Sequence, residues 1–199
     1  MQWPAPTFRP PTAGIWRWVA LAWLLLLVTV LGTAAPAAHA QVQSAELSSL
    51  EVGRDDGLQL SFAVQFELPR GVEEALQKGV PLYFVAQAEV FRSRWYWRDK
   101  RVAVAERTWR LAFQPLSRKY RVSFGGLNQS FDSLADALVA VRRVAGWKVA
   151  DAGVLEPGSS HYVEFSYRLD TSLLPRPLQI GLGGQADWNL QVEKILRLD

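Results

Sequence analysis

Residues 58–68 read LQLSFAVQFEL, and this stretch decides the fold class. Apolar side chains occupy every second position from Leu58 to Leu68, and mostly polar side chains stand between them. A side-chain period of two is typical of a strand that buries one face and exposes the other to water. The turn signal Asp55-Asp56-Gly57 precedes it, so residues 45–52 are predicted to pair with this strand as a hairpin.

More strand patterns follow along the chain. Residues 161–169 alternate in the same way, and residues 80–97 read as a long strand that turns at 98–101 and returns over 102–113. The apolar face of the long strand changes side partway, which a regular strand with one buried face cannot do. Either a β-bulge near Phe91 shifts the phase, or the end of the hairpin projects into solvent, which we favour. The hairpin register stays open between a two-residue and a three-residue loop.

Helical patterns are few. Residues 133–145 are predicted to form the one α-helix, with Ser133 as its N-cap and Gly146 at its end. Residues 72–78 are predicted to form a short helical turn. About eight strands with so little helix predict an antiparallel β-sandwich or a partly open barrel. A parallel sheet is the weaker alternative, because parallel strands need long crossover connections, which are usually helices.

The first 40 residues have the features of a cleaved signal peptide. Arg9 and Arg17 precede an apolar run over residues 19–31. Three residues define the predicted cleavage site, namely Ala38, Ala40 and Gln41. The alternative is an inner-membrane anchor formed by residues 15–31, but the run is short for a helix that needs about 20 apolar residues. The prediction is therefore an exported chain whose residues 41–199 form a single β-rich domain.

The chain contains no cysteine. Disulfides, thiol nucleophiles, thiolate metal sites and a lipoprotein anchor are therefore all excluded. A domain of this length can still bury an adequate apolar core.

Charge is segregated along the predicted domain. Without Arg9 and Arg17 of the leader, the formal net charge falls from +3 to +1. Residues 92–121 nevertheless hold ten lysines and arginines against only Asp99 and Glu106. One positive segment in an otherwise acidic domain predicts an electrostatic surface for an acidic or anionic partner.

The sharpest feature of this segment is FRSRWYWRDKRV, residues 91–102, in which five cations stand beside four aromatic rings. Arginine forks bind carboxylates and phosphates and also stack on rings, and Trp and Tyr anchor interfaces. The predicted partner-binding residues are Arg92, Arg94, Trp95, Tyr96, Trp97, Arg98 and Arg101. The alternative, equally open, is that Trp95 and Trp97 pack beneath the helix while the arginines pair with carboxylates of the same domain.

Catalytic and metal-binding patterns are weak, so no catalytic residue, metal or cofactor is predicted. His161 follows Ser159 and Ser160, but no nucleophile turn is present and no orienting carboxylate can be placed. Asp55-Asp56-Gly57 lacks the alternating oxygens of a calcium loop, and Gly181–Gly184 enters no helix that could bind phosphate. The pairs Glu73-Glu74 and Glu164/Asp170 have no defined separation that would suit a glycosidase.

Three stretches carry a resemblance to a known family. They are Arg94-Trp95-Tyr96-Trp97, the helix entry at 131–134 and LDTSLLPRPLQ at 169–179. Together they resemble the DUF4390 family of secreted proteobacterial proteins. The resemblance implies an exported, periplasmic, β-rich protein with no established activity to transfer. It also implies a membrane sensor histidine kinase of the nitrogen-regulation type as a possible signalling partner.

The expected function is a non-enzymatic binding module. Its basic and aromatic β-hairpin, residues 91–121, is expected to dock an acidic protein partner or an anionic membrane or glycan surface. Single-stranded nucleic acid would suit the same side chains in the cytoplasm, but an exported protein meets little of it. The alternative function is a cell-envelope hydrolase or glycan-modifying enzyme, which needs a pocket near His161, Glu164 or Asp170.

Overall fold

Paired β-strands make up more than half of the chain that the structure describes. The computed structural model describes residues 45–174, 176, 177, 179 and 188–198. The strands are β1 (Glu46–Gly53), β2 (Leu58–Gln65), β3 (Leu82–Arg92), β4 (Lys100–Gln114), β5 (Lys119–Phe124), β6 (Leu127–Phe131), β7 (Arg143–Ala150), β8 (His161–Leu169) and β9 (Gln191–Leu198). The helices are α1 (Arg70–Gln77), α2 (Leu134–Arg142) and a 3₁₀ turn (Thr171–Leu173).

The predicted leader, its cleavage residues Ala38, Ala40 and Gln41, the possible anchor at 15–31 and Gly181–Gly184 lie outside the described residues.

The described strands form two antiparallel sheets. The small sheet has the order β1-β2-β7, and the large sheet has the order β6-β5-β4-β3-β8-β9. β6 and β9 stand at opposite edges of the large sheet, so the strands described do not close into a barrel. The antiparallel prediction is confirmed, and the parallel alternative is wrong because each of these strands pairs only with antiparallel neighbours.

The core lies between the two sheets, and the stretch LQLSFAVQFEL supplies much of it. Every second side chain of this stretch from Leu58 to Phe66 is buried. Phe62 lies at its centre, with ring centroids 4.9 Å from Phe165, 6.0 Å from Tyr167 and 6.3 Å from Trp147. Each large apolar side chain buried in this way stabilises the fold by roughly 1.5–3 kcal/mol.

Helix α2 begins as predicted and ends early. The Ser133 hydroxyl oxygen accepts a hydrogen bond from the Asp136 backbone N–H at 3.1 Å, which caps the helix. The predicted end at residue 145 is wrong, because Arg143 already has an extended backbone and begins β7. Gly146, with φ of 59°, lies instead where the register of β7 against β2 is interrupted by a bulge.

Helix α1 covers residues 70–77, close to the predicted turn at 72–78. It follows Pro69, whose carbonyl accepts from the backbone N–H groups of Val72 and Glu73. Gly79, with φ of 92°, follows its last turn in the left-handed conformation that glycine favours.

The β3–β4 hairpin differs most from expectation. The predicted turn at 98–101 is wrong, and so are both predicted loop lengths: Arg92 pairs with Lys100, and residues 93–99 form a seven-residue loop. The pairing passes from Val90 opposite Ala103 to Phe91 opposite Arg101, which leaves one extra residue on β4. The expected bulge near Phe91 and the expected projecting end are therefore both present.

Candidate functional site

The tip of the β3–β4 hairpin carries three consecutive exposed rings. We call residues Ser93–Asp99 the aromatic loop. Within it, Trp95 is 95% exposed, Tyr96 69% and Trp97 73%. Trp95 and Tyr96 contact each other edge to face, with ring centroids 5.2 Å apart. The alternative in which Trp95 and Trp97 pack beneath the helix is therefore wrong. Most large apolar side chains of folded domains are covered, so this cluster is unusual.

Three cations flank the rings without a partner among the described residues. Arg94 precedes Trp95 and is half-buried, while Arg98 and Lys100 follow Trp97 and are exposed. None of the three side chains forms an ion pair with a residue that the structure describes. Their charge is therefore available to a partner.

The other two predicted binding arginines are already paired within the domain. Arg92 forms an ion pair with Glu156, and its side chain is only 16% exposed. The Nη1 atom of Arg101 lies 3.1 Å from Oε2 of Glu89 on the outer face of the large sheet. The predicted binding set therefore divides into an open group at the tip and a paired group at its base.

The base of the aromatic loop is held by hydrogen bonds. Oδ1 of Asp99 accepts from the Arg94 backbone N–H at 3.0 Å, and Oδ2 accepts from the Tyr162 hydroxyl at 2.8 Å. The Ser93 backbone N–H donates to the Ser160 carbonyl at 2.9 Å. The loop is therefore fixed to the start of β8 while its tip stays free.

Tyr162 is the main side chain under the loop. Its ring stacks on Phe91 at 5.2 Å between centroids and 13° between planes. Burial, followed by the hydrogen bond to the Asp99 carboxylate and its negative charge, raises the pKa of Tyr162 to about 12. The phenol therefore stays a hydrogen-bond donor at physiological pH.

Sequence reasoning missed both Asp99 and Tyr162. The residue type of Asp99 could have indicated its role, because aspartate in a turn commonly accepts hydrogen bonds from nearby backbone N–H groups. The predicted turn at 98–101, however, places Asp99 away from Arg94. Tyr162 had no such indication, because 63 residues separate it from its partner.

The rest of the basic segment does not form one surface with the tip. Arg107 stacks on rings away from the tip: its guanidinium lies 4.7 Å from the ring centroid of Phe124 and 5.6 Å from that of Trp147. Burial there lowers the pKa of Arg107. Lys119 pairs with Asp132 at 2.9 Å. The candidate binding surface is therefore the aromatic loop with Lys100, not the whole hairpin from 91 to 121.

His161 is buried at the start of β8. Its Nδ1 lies 2.9 Å from the carbonyl oxygen of Ser159, and its Nε2 has no partner in the described part of the chain. The contact with Ser159 is to the backbone, so it provides no activated serine hydroxyl. Beside it, an open depression is lined by Asp99, Tyr162, Glu164 and Arg197 among others. Asp99 is already bonded within the loop base.

The candidate carboxylates are dispersed, and several of them have local partners. Asp56 pairs with Lys148 at 3.5 Å, and Glu74 pairs with Arg70 at 3.1 Å. Asp170 caps the 3₁₀ turn: burial alone would raise its pKa, but hydrogen bonds from Ser172 and the nearby Arg168 lower it overall. Within the described ranges, no group of three His, Cys, Asp or Glu side chains is placed to hold a metal ion.

No helix among the described residues is long and apolar enough to cross a membrane. Residues 15–31 are not among them, so the membrane-anchor alternative stays a prediction.

A match to a known family covers most of the chain. No curated protein and no solved structure matches the chain. A family model described as a domain of unknown function, DUF4390, matches residues 38–197, which include the elements described above except Leu198, the last residue of β9. The resemblance carried by Arg94-Trp95-Tyr96-Trp97 is thereby confirmed, and the chain belongs to the DUF4390 family.

Proposed function

We propose that this protein is an exported, non-enzymatic binding module of the periplasm that docks an acidic partner or an anionic envelope surface through its aromatic loop. The observation that carries the proposal is the exposure of Trp95, Tyr96 and Trp97 side by side at the hairpin tip. Exposed apolar clusters with polar surroundings mark interaction sites in folded proteins.

The rings supply most of the expected binding energy. Full burial of one large apolar side chain is worth roughly 1.5–3 kcal/mol, and aromatic rings add favourable edge and face contacts. An exposed ion pair contributes only about 0–1 kcal/mol. The charges of Arg94, Arg98 and Lys100 therefore select the partner and speed its approach, while the rings hold it.

The loop base reduces the entropy lost on binding. Two hydrogen bonds fix Ser93 and Asp99, the ends of the loop, to the start of β8, and a third joins Arg94 to Asp99 across the loop. A loop already ordered in its stem loses less conformational freedom when it docks. This arrangement favours a binding role over a merely tolerated surface loop.

The candidate partners share negative charge. They are an acidic protein, for which the family resemblance suggests a membrane sensor histidine kinase, and an anionic membrane or glycan surface. Nucleic acid is not expected, because an exported protein meets little of it.

In-cell photo-crosslinking tests the proposal. A photoreactive benzoylphenylalanine replaces Tyr96 in one strain and the fully exposed Leu116, at the turn between β4 and β5, in another. Adducts are expected from position 96 and not from position 116. The adduct mass distinguishes a protein partner from a lipid or a glycan.

Charge variants complete the test. Combined Arg94→Gln, Arg98→Gln and Lys100→Gln substitutions are expected to abolish the adduct at position 96. The matched control replaces three exposed cations outside the loop, Arg110, Arg143 and Lys194, and is expected to leave the adduct intact. The absence of an adduct at position 96, or equal adducts at both positions, would show that the aromatic loop is not a docking site.

A further inference from the structure

We propose that the aromatic loop inserts into the headgroup region of an anionic lipid bilayer. This inference rests on the proposed function and names its partner. The proposed partner is a lipid bilayer, and binding to a protein instead is one outcome of the test.

The first argument is the size and shape of the exposed surface. A stable protein–protein interface covers about 800 Å² on each side and involves 20–30 residues. Here the apolar surface is confined to three consecutive residues of a seven-residue loop beyond the Arg92–Lys100 pair. A narrow convex tip matches a deformable lipid surface better than it matches the flat, broad face of another domain.

The exposed apolar side chains nearest to the loop lie among charged side chains. The described large apolar side chains that are exposed outside the loop are Val104, Leu116, Leu127, Val139, Leu173 and Ile195. Leu116 lies at the opposite end of β4 from the aromatic loop, and Leu127 lies on the edge strand β6. Val104 lies opposite Glu89 on the large sheet, and Ile195 lines the depression at the loop base together with Asp99 and Arg197, so neither forms a continuous apolar surface with the rings.

The second argument is the type of ring. Trp and Tyr concentrate at membrane–water interfaces, because one end of each ring is apolar and the other forms hydrogen bonds. The indole N–H groups of Trp95 and Trp97 and the hydroxyl of Tyr96 have no hydrogen-bond partner among the described residues, so they are free to bond lipid carbonyls and phosphates. The tip contains no Leu, Ile or Phe, which indicates shallow insertion.

The third argument is the placement of charge. Arg94 and Arg98 adjoin the rings in sequence, and Lys100 lies at the loop base opposite Arg92, so insertion of the rings would bring all three cations towards the phosphate groups. Attraction of one such cation to an anionic leaflet strengthens binding about fivefold, and three strengthen it on the order of 100-fold. The acid of the loop, Asp99, is directed at Tyr162 and Arg94 N–H and so faces the domain.

A unique fluorescent label tests this inference in the full chain. Because the sequence contains no cysteine, Tyr96→Cys creates a single site for an environment-sensitive nitrobenzoxadiazole dye. Leu116→Cys, labelled in the same way, is the matched control. Because the readout is local to the labelled position, the comparison of positions 96 and 116 does not depend on whether the leader has been removed.

Protein-free vesicles supply the ligand. On vesicles of equal parts phosphatidylcholine and phosphatidylglycerol, the dye at position 96 is expected to brighten and shift to shorter wavelength. The dye at position 116 is expected to stay unchanged, and phosphatidylcholine alone is expected to bind far more weakly. No response at position 96, or the same response at both positions, overturns the inference.

Charge variants separate local from general attraction. Arg94→Gln, Arg98→Gln and Lys100→Gln together are expected to weaken vesicle binding on the order of 100-fold. The same change at Arg110, Arg143 and Lys194 is expected to have little effect, and equal weakening would contradict insertion of the loop. Unchanged thermal midpoints show that all variants fold.

The two proposals can fail separately. A protein adduct at position 96 in cells with no vesicle response rejects lipid insertion and leaves the docking function standing. Neither an adduct nor a vesicle response rejects both.

Discussion

The Tyr162 hydroxyl donates a hydrogen bond to the Asp99 carboxylate at 2.8 Å, and so joins the end of the aromatic loop to the start of β8. The second oxygen of the same carboxylate accepts from the Arg94 backbone N–H across the loop. One side chain therefore closes the loop and attaches it to the large sheet. The orientation of the three rings depends on it.

Replacing Asp99 with alanine is expected to loosen the loop without unfolding the domain. Two hydrogen bonds to an exposed carboxylate are lost, so unfolding free energy should fall by about 1 kcal/mol. Hydrogen exchange at the Arg94 amide should become faster. Chemical denaturation and hydrogen-exchange mass spectrometry measure the two effects. Glu74→Ala, which breaks an exposed ion pair with Arg70, is the control and should change stability by less than about 0.5 kcal/mol.

Tyr162 is expected to ionise late and to make the loop base sensitive to alkali. Its pKa of about 12 in the folded chain exceeds the ordinary value of 10.0. Its stabilising contribution is therefore complete below pH 10 and is lost as the pH rises from 10 towards 12. The stability difference between the parent chain and Tyr162→Phe should narrow over that range.

Nuclear magnetic resonance of ring-labelled tyrosine measures the pKa of Tyr162 directly. Asp99→Asn should lower the pKa of Tyr162, because the carboxylate charge is one cause of the shift. Ionisation of Tyr162 near pH 10 in the parent chain would contradict the structure.

Gly57 and Gly79 are expected to respond differently to the same substitution. Both have left-handed backbones, with φ of 93° and 92°. A Cβ on Gly57 would lie 2.3 Å from the Ala150 carbonyl oxygen, whereas a Cβ on Gly79 meets nothing within 4 Å. Gly79→Ala should cost about 1–2 kcal/mol for its backbone alone. Gly57→Ala should lower the unfolding free energy by at least ~1 kcal/mol more than Gly79→Ala. Urea denaturation measures both values, and equal losses would contradict the close approach of Gly57 to Ala150.

Phe62 is expected to be among the most sensitive core positions. Its ring contacts rings from both sheets, including Trp147 of the small sheet and Phe165 of the large one. Phe62→Ala should therefore destabilise the domain by about 3–5 kcal/mol. Val139→Ala, on the exposed side of α2, should change stability by no more than about 0.5 kcal/mol. Urea denaturation measures the unfolding free energy of both variants. A small loss of stability in Phe62→Ala would contradict a core centred on Phe62.

The strands with one buried face could be predicted from the sequence. In β2 and β8 the apolar period of two follows directly from burial against the opposite sheet, as Phe62 and Phe165 show. The two-sheet antiparallel class follows from these strands. The cap at Ser133 was also predictable, because its signal is local.

Elements without a buried face could not be predicted in the same way. Trp95, Tyr96 and Trp97 have high strand propensity, yet they form a loop, because that propensity reflects packing on a half-buried sheet and nothing covers them here. Strand β6 has four exposed residues out of five and no apolar period. It forms because Gly125-Gly126, both with positive φ, turn it back against β5.

The site was only half predictable for a related reason. The sequence alone identified the rings and cations of the tip, because they are concentrated in one short segment of the chain. The division between open and paired arginines depends on contacts distant in sequence, such as Arg92 with Glu156. Such contacts leave no local pattern.

The Arg92–Lys100 pair completes the hairpin ladder before the aromatic loop begins. Ser93 and Asp99 then hold the base of the loop. The five residues between them can therefore be replaced by other sequences while both sheets keep their packing. The binding specificity of this scaffold could therefore change while the fold stays the same. A grafted peptide would extend from the middle of the large sheet, between β3 and β4.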